Sequence, residues 1–595
     1  MSRNRPPARA RGSLRGSPQT RLRIGFLLIA MVLSVFGGRL VQLQGFDPQS
    51  YAAMAAAEGM EEVDLPAERG EILDRNGQPL AGSVEGAMVV ADPALTAERA
   101  PELAKFLANR LPVDYFTLLP RLREEGSRYE YVARQVPAAQ AAAVVDAAKE
   151  AGFDGLTTYR DPMRDYPAGD VAANLVGFLG TPHPVEGDQP LAGLELAFDD
   201  LLAGTDGEAS YQTGAGSKIP LGDSTKVPAV DGRDLTTTID RDLQWYTQRV
   251  LRQTVEDSRA ESGFAVVMDT RTGELLTVAD HPTFDANHPG DADREDRVSR
   301  AMSDVYEPGS VEKVLTFGAL LDAGKVTPRT RLTIPPRLDR QDRSIGDWFD
   351  HGTIRLTLAG VLAKSSNIGT VLASDLFEPG ELRSYLEDFG LGRRTGIGVL
   401  GETPGILPSE SLWTSQTEDR ISFGQSLSVN AVQMAAAVNT IANEGVRVDP
   451  HVVRGSAETA DGTVVGTDTA TERRVISTEA ARQTARMMER VVDPEAGVAP
   501  GAAVPGYRVA GKTGTAQRVG EECQCYDGTF TVSFAGFAPA DDPRFTVYVV
   551  VQNPGNGGGG GSVTGPAFSK IMGYALRRYA VAPTGTRPSQ LPVEW

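Results

Sequence analysis

Residues 24–43 constrain this chain before any other segment does. Ile24 to Gly38 is fifteen residues without a charge, and Arg39-Leu40-Val41-Gln42-Leu43 continues the run. Twenty residues at a helical rise of about 1.5 Å span about 30 Å, the thickness of a bilayer's hydrocarbon layer. In that medium each peptide N–H and C=O must be satisfied inside the segment, so a helix is the structure open to it. Arg39 can extend its charge to the outer interface. Ahead of the span stand Arg3, Arg5, Arg9, Arg11, Arg15, Arg21 and Arg23, with no Lys, Asp or Glu in residues 1–23. Basic flanks stay in the cytoplasm. The expected layout is therefore a cytoplasmic basic arm (1–23), a single transmembrane helix (24–43) and an extracytoplasmic body from residue 45 onward. A cleaved signal peptide is the competing reading, but Ala55-Ala56-Ala57 lies too far beyond the apolar run to serve as its cleavage site.

The net charge is −19, and setting aside the +7 of the arm leaves −26 on the rest. Phosphate recognition needs clustered Lys and Arg, so nucleic acid is not expected as a partner. A length of 595 residues, 41% of them hydrophobic, points to more than one folded domain. Two cysteines, Cys523 and Cys525, exclude a disulfide scaffold and a four-thiolate zinc site, and their spacing leaves both a local disulfide and two thiols open. His183, His281, His288, His351 and His451 show no metal spacing and read as surface or turn residues. No metal or other cofactor is expected.

Beyond the anchor, residues 45–230 alternate short β-like runs with turns and hold one clear helix, Pro137 to Ala151, with Gly152 as its stop signal. Nothing in them looks catalytic. A Gly- and Ser-rich stretch around residues 214–224 leads to a second part, residues 234–582. There Gly263–Asp269 and Glu274–Ala279 read as a hairpin. Three later strand runs follow at Tyr507–Gln517, Phe530–Pro539 and Arg544–Gln552, then a helix from Pro566 to Tyr579 with Phe568, Ile571, Met572, Ala575 and Leu576 on one face. A mainly helical insertion, including Ala431 to Ala442, separates the second and third strands. The predicted class is α+β, a five-stranded antiparallel sheet covered by helices. Residues 583–595 read as a frayed tail.

The chemistry begins at Ser310. Pro308-Gly309 ends the preceding chain and Ser310 opens an apolar helical stretch, where the field of the helix N-terminus favours an alkoxide. Lys313 lies one turn on, and a neutral amine there can take the proton of a hydroxyl that is otherwise a poor nucleophile. Taken alone, Ser-x-x-Lys is equally a capping serine with a solvated lysine. Two further elements follow, Ser365-Ser366-Asn367 and Lys512-Thr513-Gly514-Thr515. Lys512 sits in a β-alternating run, and Gly514 leaves room for an extended peptide on the strand edge. A second lysine near the first lowers its pKa and frees it as a base.

The ordered trio Ser310-x-x-Lys313, Ser365-x-Asn367 and Lys512-Thr513-Gly514 resembles the signature of penicillin-binding proteins and serine β-lactamases. Arg69-Gly70-Glu71-Ile72-Leu73-Asp74-Arg75-Asn76-Gly77 resembles the start of the pedestal (dimerisation) domain of class B penicillin-binding proteins. Arg164-x-Tyr166-Pro167, Thr238-Ile239-Asp240 with Gln244, Phe423-Gly424-Gln425 and Ser533 to Pro539 match that class too. The single short anchor is most similar to the division-specific FtsI type, and the arginine-rich arm and Cys523-Gln524-Cys525-Tyr526 to actinobacterial members. The resemblance implies a pedestal over 45–230, a transpeptidase domain over 234–582 and a peptidoglycan D,D-transpeptidase activity. It implies Ser310 as nucleophile and Lys313 as proton acceptor, with Ser365 and Asn367 as proton relay and peptide holders. Lys512, Thr513, Gly514 and Thr515 would bind the terminal carboxylate, and the backbone N–H groups of Ser310 and Thr515 would form the oxyanion hole. Implied partners are stem peptides, β-lactams, an FtsW-type glycosyltransferase and other division proteins, at the septum.

Several alternatives share these residues. An elongation-type transpeptidase, a D,D-carboxypeptidase or a β-lactam sensor would use the same acyl-serine chemistry. A hydrolytic β-lactamase needs a deacylating Glu in a Glu-x-x-Leu-Asn motif, and here Glu402-Thr403-Pro404-Gly405 lacks the Leu and the Asn. Gly506 to Thr513 formally fits the Walker A pattern of a P-loop nucleotide hydrolase, without the strand-to-helix setting such a loop needs. A non-catalytic division scaffold is the remaining reading. Gly557 to Gly561 is an all-glycine loop between a strand and the last helix, open to two readings, a flexible linker or a mobile rim of the active site.

Overall fold

The computed structural model describes residues 18–42, 60–180, 189–214, 217–218, 224–341, 343–520 and 525–595. Cys523, His183 and the arm up to residue 17 lie outside them, and Cys525 is disulfide-bonded. The chain divides into two units, one of residues 1–65 with 206–229 and one of 66–205 with 230–595. In the first, helix α1 (Pro18–Val41) contains Leu22–Arg39, a stretch with none of its residues buried, long and apolar enough to cross a membrane. The same unit holds antiparallel strands Met60–Leu65, Gly207–Gly214 and Ser224–Val227. The sequence reading had grouped these strands with residues 66–205.

In the second unit, residues 66–205 build two small layers. Strand Gly86–Ala91 is flanked by Glu130–Pro137 and Leu156–Arg160 in an antiparallel sheet, and helices Ala100–Ala108 and Ala138–Glu150 close its apolar core around Val89, Leu103, Leu107 and Val144. The second sheet joins Ile72–Leu73, Pro79–Val84 and Met163–Asp165, and Leu235–Thr236 adds to it in parallel. The matched motifs of this region meet at Glu195, which is fully buried. Its carboxylate accepts from Arg69 Nε and Arg164 Nε, both at 2.7 Å, and from Tyr166 Oη at 3.2 Å. A carboxylate is tolerated at that depth because cations and a hydroxyl replace its water. Asp74 closes the turn of the first motif, accepting from Asn76 N and Gln78 N.

The rest of this unit is organised by the predicted antiparallel sheet of β1 (Ser262–Asp269), β2 (Leu275–His281), β3 (Ala510–Val519), β4 (Tyr526–Ala538) and β5 (Phe545–Gln552). Its spatial order is β2-β1-β5-β4-β3. Every residue of β1 and β5 is buried, as expected of strands covered on both faces. Helices α2 (Arg241–Ser258) and α8 (Gly560–Arg578) lie together, with Tyr246 and Tyr574 stacked at 4.1 Å. The predicted face of α8 is wholly buried, and Phe568 meets Phe534 of β4. Asp240 caps α2 and pairs with Arg578, and Gln244 exchanges hydrogen bonds with the backbone of Val278. Helices α3 (Lys313–Asp322), α6 (Ala431–Ala442) and α7 (Thr478–Val492) form a second layer. Between them in sequence, α4 (Leu358–Lys364) and α5 (Asn367–Ser374) meet at Ser365.

Three expectations need correction. Residues 583–595 are not frayed. Leu591 and Ser589 are buried, Thr357 N donates to Val593 O at 3.0 Å, and Trp595 Nε1 donates to Leu332 O and Leu356 O. At the start of α4 the tail accepts the Thr357 donor, while Leu358 N and Ala359 N donate to Thr330 O and Pro328 O. Of the glycine run, Gly560 and Gly561 form the first turn of α8, which leaves Gly557–Gly559 as the loop. His451 is buried rather than a surface residue, and the half-buried His351 faces Asp347 with its ring at 3.1 Å.

Candidate active site

Ser310 lies in a single 3-10 turn, Gly309–Val311, that runs straight into α3. Glycines let this turn press against its neighbours. A Cβ on Gly424 would fall 1.9 Å from Gly309 O, and one on Gly514 would fall 2.2 Å from Ser533 Oγ and 2.9 Å from Pro308 O. Gly514 therefore serves the chain's own close approach between β3 and the Ser310 turn, a need beyond the open strand edge anticipated from sequence. Gly424 was legible only as part of a motif, and its contact explains that motif.

Burial within α3 turns Lys313 inward, where it is fully enclosed. Its Nζ donates to Asn367 Oδ1 at 2.7 Å and to Ser365 O at 2.8 Å. Lys512, near the start of β3, is equally enclosed and donates to Ser365 Oγ at 2.9 Å. Desolvation favours the neutral amine in both. It lowers Lys313 to about 7 against the pull of Asp347 and Glu312. Lys512 is lowered well below the ordinary lysine value by burial and by the neighbouring Lys313. Ser365 holds the junction of α4 and α5 at φ +59°, a left-handed conformation that costs a non-glycine residue about 1–2 kcal/mol. The turn this makes brings the Ser365 hydroxyl to Lys512 and the Asn367 amide to Lys313.

Ser310, Ser365, Asn367, Thr513 and Thr515 line one cleft of about 890 Å³. Thr513, Thr515 and Gln517 alternate along β3 toward it, as a strand's side chains do. The three predicted elements thus converge on one cavity, with both lysines beneath its floor. Arg340, Trp348, Arg420 and Gly557–Gly559 form its rim. Glu402 does not line it; its carboxylate accepts from Thr395 N at 2.7 Å. Lys512 lies within a strand that turns into another strand, so the P-loop setting is absent. Among the described residues no group of His, Cys, Asp and Glu could hold a metal. Sequence reasoning missed Asp347, whose carboxylate accepts from Asn367 N at 2.6 Å and from Ser366 Oγ at 2.6 Å. A lone Asp in a polar loop carries no signal of such a role.

Comparison with known proteins bears on the same regions. Residues 263–573 match the penicillin binding protein transpeptidase domain, and residues 64–237 the penicillin-binding protein dimerisation domain. The chain is 35% identical to penicillin-binding protein PbpB of Mycolicibacterium smegmatis, covering 94% of this chain and 90% of that protein. It is 32% identical to peptidoglycan D,D-transpeptidase FtsI of Escherichia coli K12, covering 93% and 91%. Among solved structures, penicillin binding protein 3 of Mycobacterium tuberculosis in complex with aztreonam superposes with a TM-score of 0.68 at 30% identity, covering 90% of this chain and all of that one. With a dimerisation domain ahead of a transpeptidase domain and relatives matched over nearly their whole length, the chain belongs to the class B penicillin-binding proteins, a family of serine transpeptidases.

Proposed function

We propose that this transpeptidase crosslinks peptidoglycan stem peptides through an acyl-enzyme on Ser310, from the outer face of the cell membrane at the division septum. The observation that carries the reading is the position of Ser365, whose hydroxyl receives Lys512 and whose carbonyl receives Lys313, in the cleft that Ser310 also lines. With Lys313 at about 7, a large share of its amine is neutral at physiological pH and free to accept a proton.

Ser310 Oγ attacks the carbonyl carbon of the penultimate D-Ala and gives its proton to Lys313 Nζ. The N–H groups of Ser310 and Thr515 receive the developing oxyanion. The C–N bond then breaks, and the terminal D-Ala leaves as an amine that takes back a proton relayed through Ser365. Lys512, Thr513 and Thr515 hold its carboxylate, an anion that favours the charged form of Lys512. Gly514 keeps β3 close enough to the Ser310 turn for both to face one carbonyl, and Asn367 holds the donor peptide. In the second half an amine of a neighbouring stem peptide attacks the Ser310 ester, yields its proton to Lys313, and restores the hydroxyl as the new amide forms. A β-lactam ring opened by Ser310 gives an ester that persists, since Glu402, the residue nearest the deacylating position in sequence, does not line the cleft and is engaged by Thr395 N.

In this reading residues 45–230 are the pedestal and 234–582 the catalytic domain. Helix α1 is the anchor, and residues 1–23 remain in the cytoplasm. The relatives named FtsI and PbpB support a division role beside an FtsW-type glycosyltransferase and other division proteins. The test is the full-length protein in detergent with a stem pentapeptide ending in D-Ala-D-Ala and an amine acceptor peptide. D-Ala release with crosslinked dimer, both lost in Ser310→Ala, is the expected result. Release without dimer makes the protein a carboxypeptidase, and neither product overturns the reading.

A further inference from the structure

The turn that presents Ser365 and Asn367 is held only in part by its own bonds, Ser365 N to Leu362 O at 3.1 Å and Ser366 N to Val361 O at 3.0 Å. Ser365 sits in a strained left-handed conformation, and the first N–H groups of α5 have no partner in their own helix. Three successive residues of another loop grip it. Gly346 O accepts from Asn367 Nδ2 at 3.2 Å, and Trp348 Nε1 donates to Lys364 O at 2.9 Å. Between them, Asp347 Oδ1 accepts from Asn367 N at 2.6 Å and from Ile368 N at 3.0 Å. Its Oδ2 accepts from Ser366 Oγ at 2.6 Å and faces His351 Nε2 at 3.1 Å, and the side chain has no exposed surface.

These contacts do more than cap a helix, because Ser366 already caps α5 through Gly369 N. By binding Asn367 N while Gly346 O binds Asn367 Nδ2, the loop leaves the amide one orientation, with Oδ1 aimed at Lys313 Nζ. Asp347 also acts through its charge. The charged and titratable groups around the Lys313 amine are Asp347, Glu312 and Lys512, and those around Asp347 are His351 and Lys313.

We propose that Asp347 is a positioning residue of the transfer reaction: its carboxylate locks the Ser365–Asn367 turn against Lys313 and supplies the negative charge which that amine faces. The proposal rests on the reading of Lys313 as proton acceptor. Removing the charge makes the ammonium form less favourable, so the amine should become basic at lower pH.

The experiment measures the rate of acylation by a fluorescent penicillin against pH for the full-length protein in detergent, as wild type, Asp347→Asn, Asp347→Ala and Asp347→Glu. Thermal melting is recorded for each. Asp347→Asn keeps an oxygen for Asn367 N and Ile368 N but loses the charge. Its half-maximal pH should fall by about half to one unit, with a plateau rate on the order of tenfold lower as the turn loosens. Asp347→Glu restores the charge and should return the half-maximal pH toward wild type, while Asp347→Ala should be the slowest. A purely structural role would lower the melting temperature and leave the half-maximal pH in place. An unchanged half-maximal pH in Asp347→Asn, against a wild-type rate that rises through neutrality, overturns this proposal alone. A wild-type rate without that rise overturns the assignment of Lys313 as base, and this proposal with it.

Discussion

Gly424→Ala tests whether the Ser310 turn owes its place to close backbone contact. The added methyl would begin 1.9 Å from Gly309 O and 2.8 Å from Gly309 Cα, and real Cβ contacts essentially never fall below 3.0 Å. The two segments must therefore separate by about an ångström at the residue next to Ser310. They cannot do so freely, since Gly309 N is bonded to Gly424 O at 3.0 Å and a Cβ on Gly309 itself would already meet Thr515 O at 2.9 Å. Gly424 also has φ +91°, which adds about 1–2 kcal/mol of strain for alanine. A displacement of that size at a reacting group can cost about 100-fold in rate. The assay is acylation of the full-length protein by a fluorescent penicillin, with the melting temperature measured in parallel. We expect acylation on the order of 100-fold slower in a protein that still melts cooperatively. Acylation at the wild-type rate in folded Gly424→Ala would refute the argument that this contact sets the position of Ser310.

Three further predictions follow from the same structure. Acylation by the wild type should rise with pH and reach half its maximum near 7, because the proposed base, Lys313, is lowered to about 7 by burial and would act as the neutral amine; a half-maximum near the ordinary lysine value would refute that cause. Glu195→Ala leaves Arg164 buried without its carboxylate and Arg69 paired with Asp199, and breaking such a cluster costs about 3–5 kcal/mol. It should appear as a lower melting temperature with little change in acylation by protein that remains folded, and an unaltered melting curve would count against it. Deleting residues 592–595 exposes the start of α4, where Thr357 N bonds Val593 O and a Cβ on Gly360 would meet the same oxygen at 1.9 Å. Since α4 ends at Ser365, acylation and stability should both fall, and unchanged values of both would make the tail dispensable.

How much of this was legible in the sequence depended on whether the physics was local. Strands β1, β2 and β5 announced themselves as apolar runs and β3 as an alternating one, and α6 was readable to the residue because it is mostly apolar, buried on all sides and capped by Asn430. Ser310 and Lys313 were readable because one helical turn fixes their relation whatever the rest of the chain does. Ser365, Asn367 and Lys512 needed the ordered motif, since nothing local says that residues 147 positions apart share a hydrogen bond. Asp347, Glu195 and the tail were not legible. Each acts on residues distant in sequence, and each carries a side chain or composition that a solvated loop would carry equally well. The Walker A pattern at Gly506–Thr513 is the converse case, a correct string in the wrong secondary structure.

The most direct measurement is the mass of the peptide carrying Ser310 after the full-length protein has reacted with a penicillin. The account predicts one adduct, on Ser310, that survives denaturation and is absent from Ser310→Ala. An adduct on another residue, or none in protein shown to be folded, would contradict it.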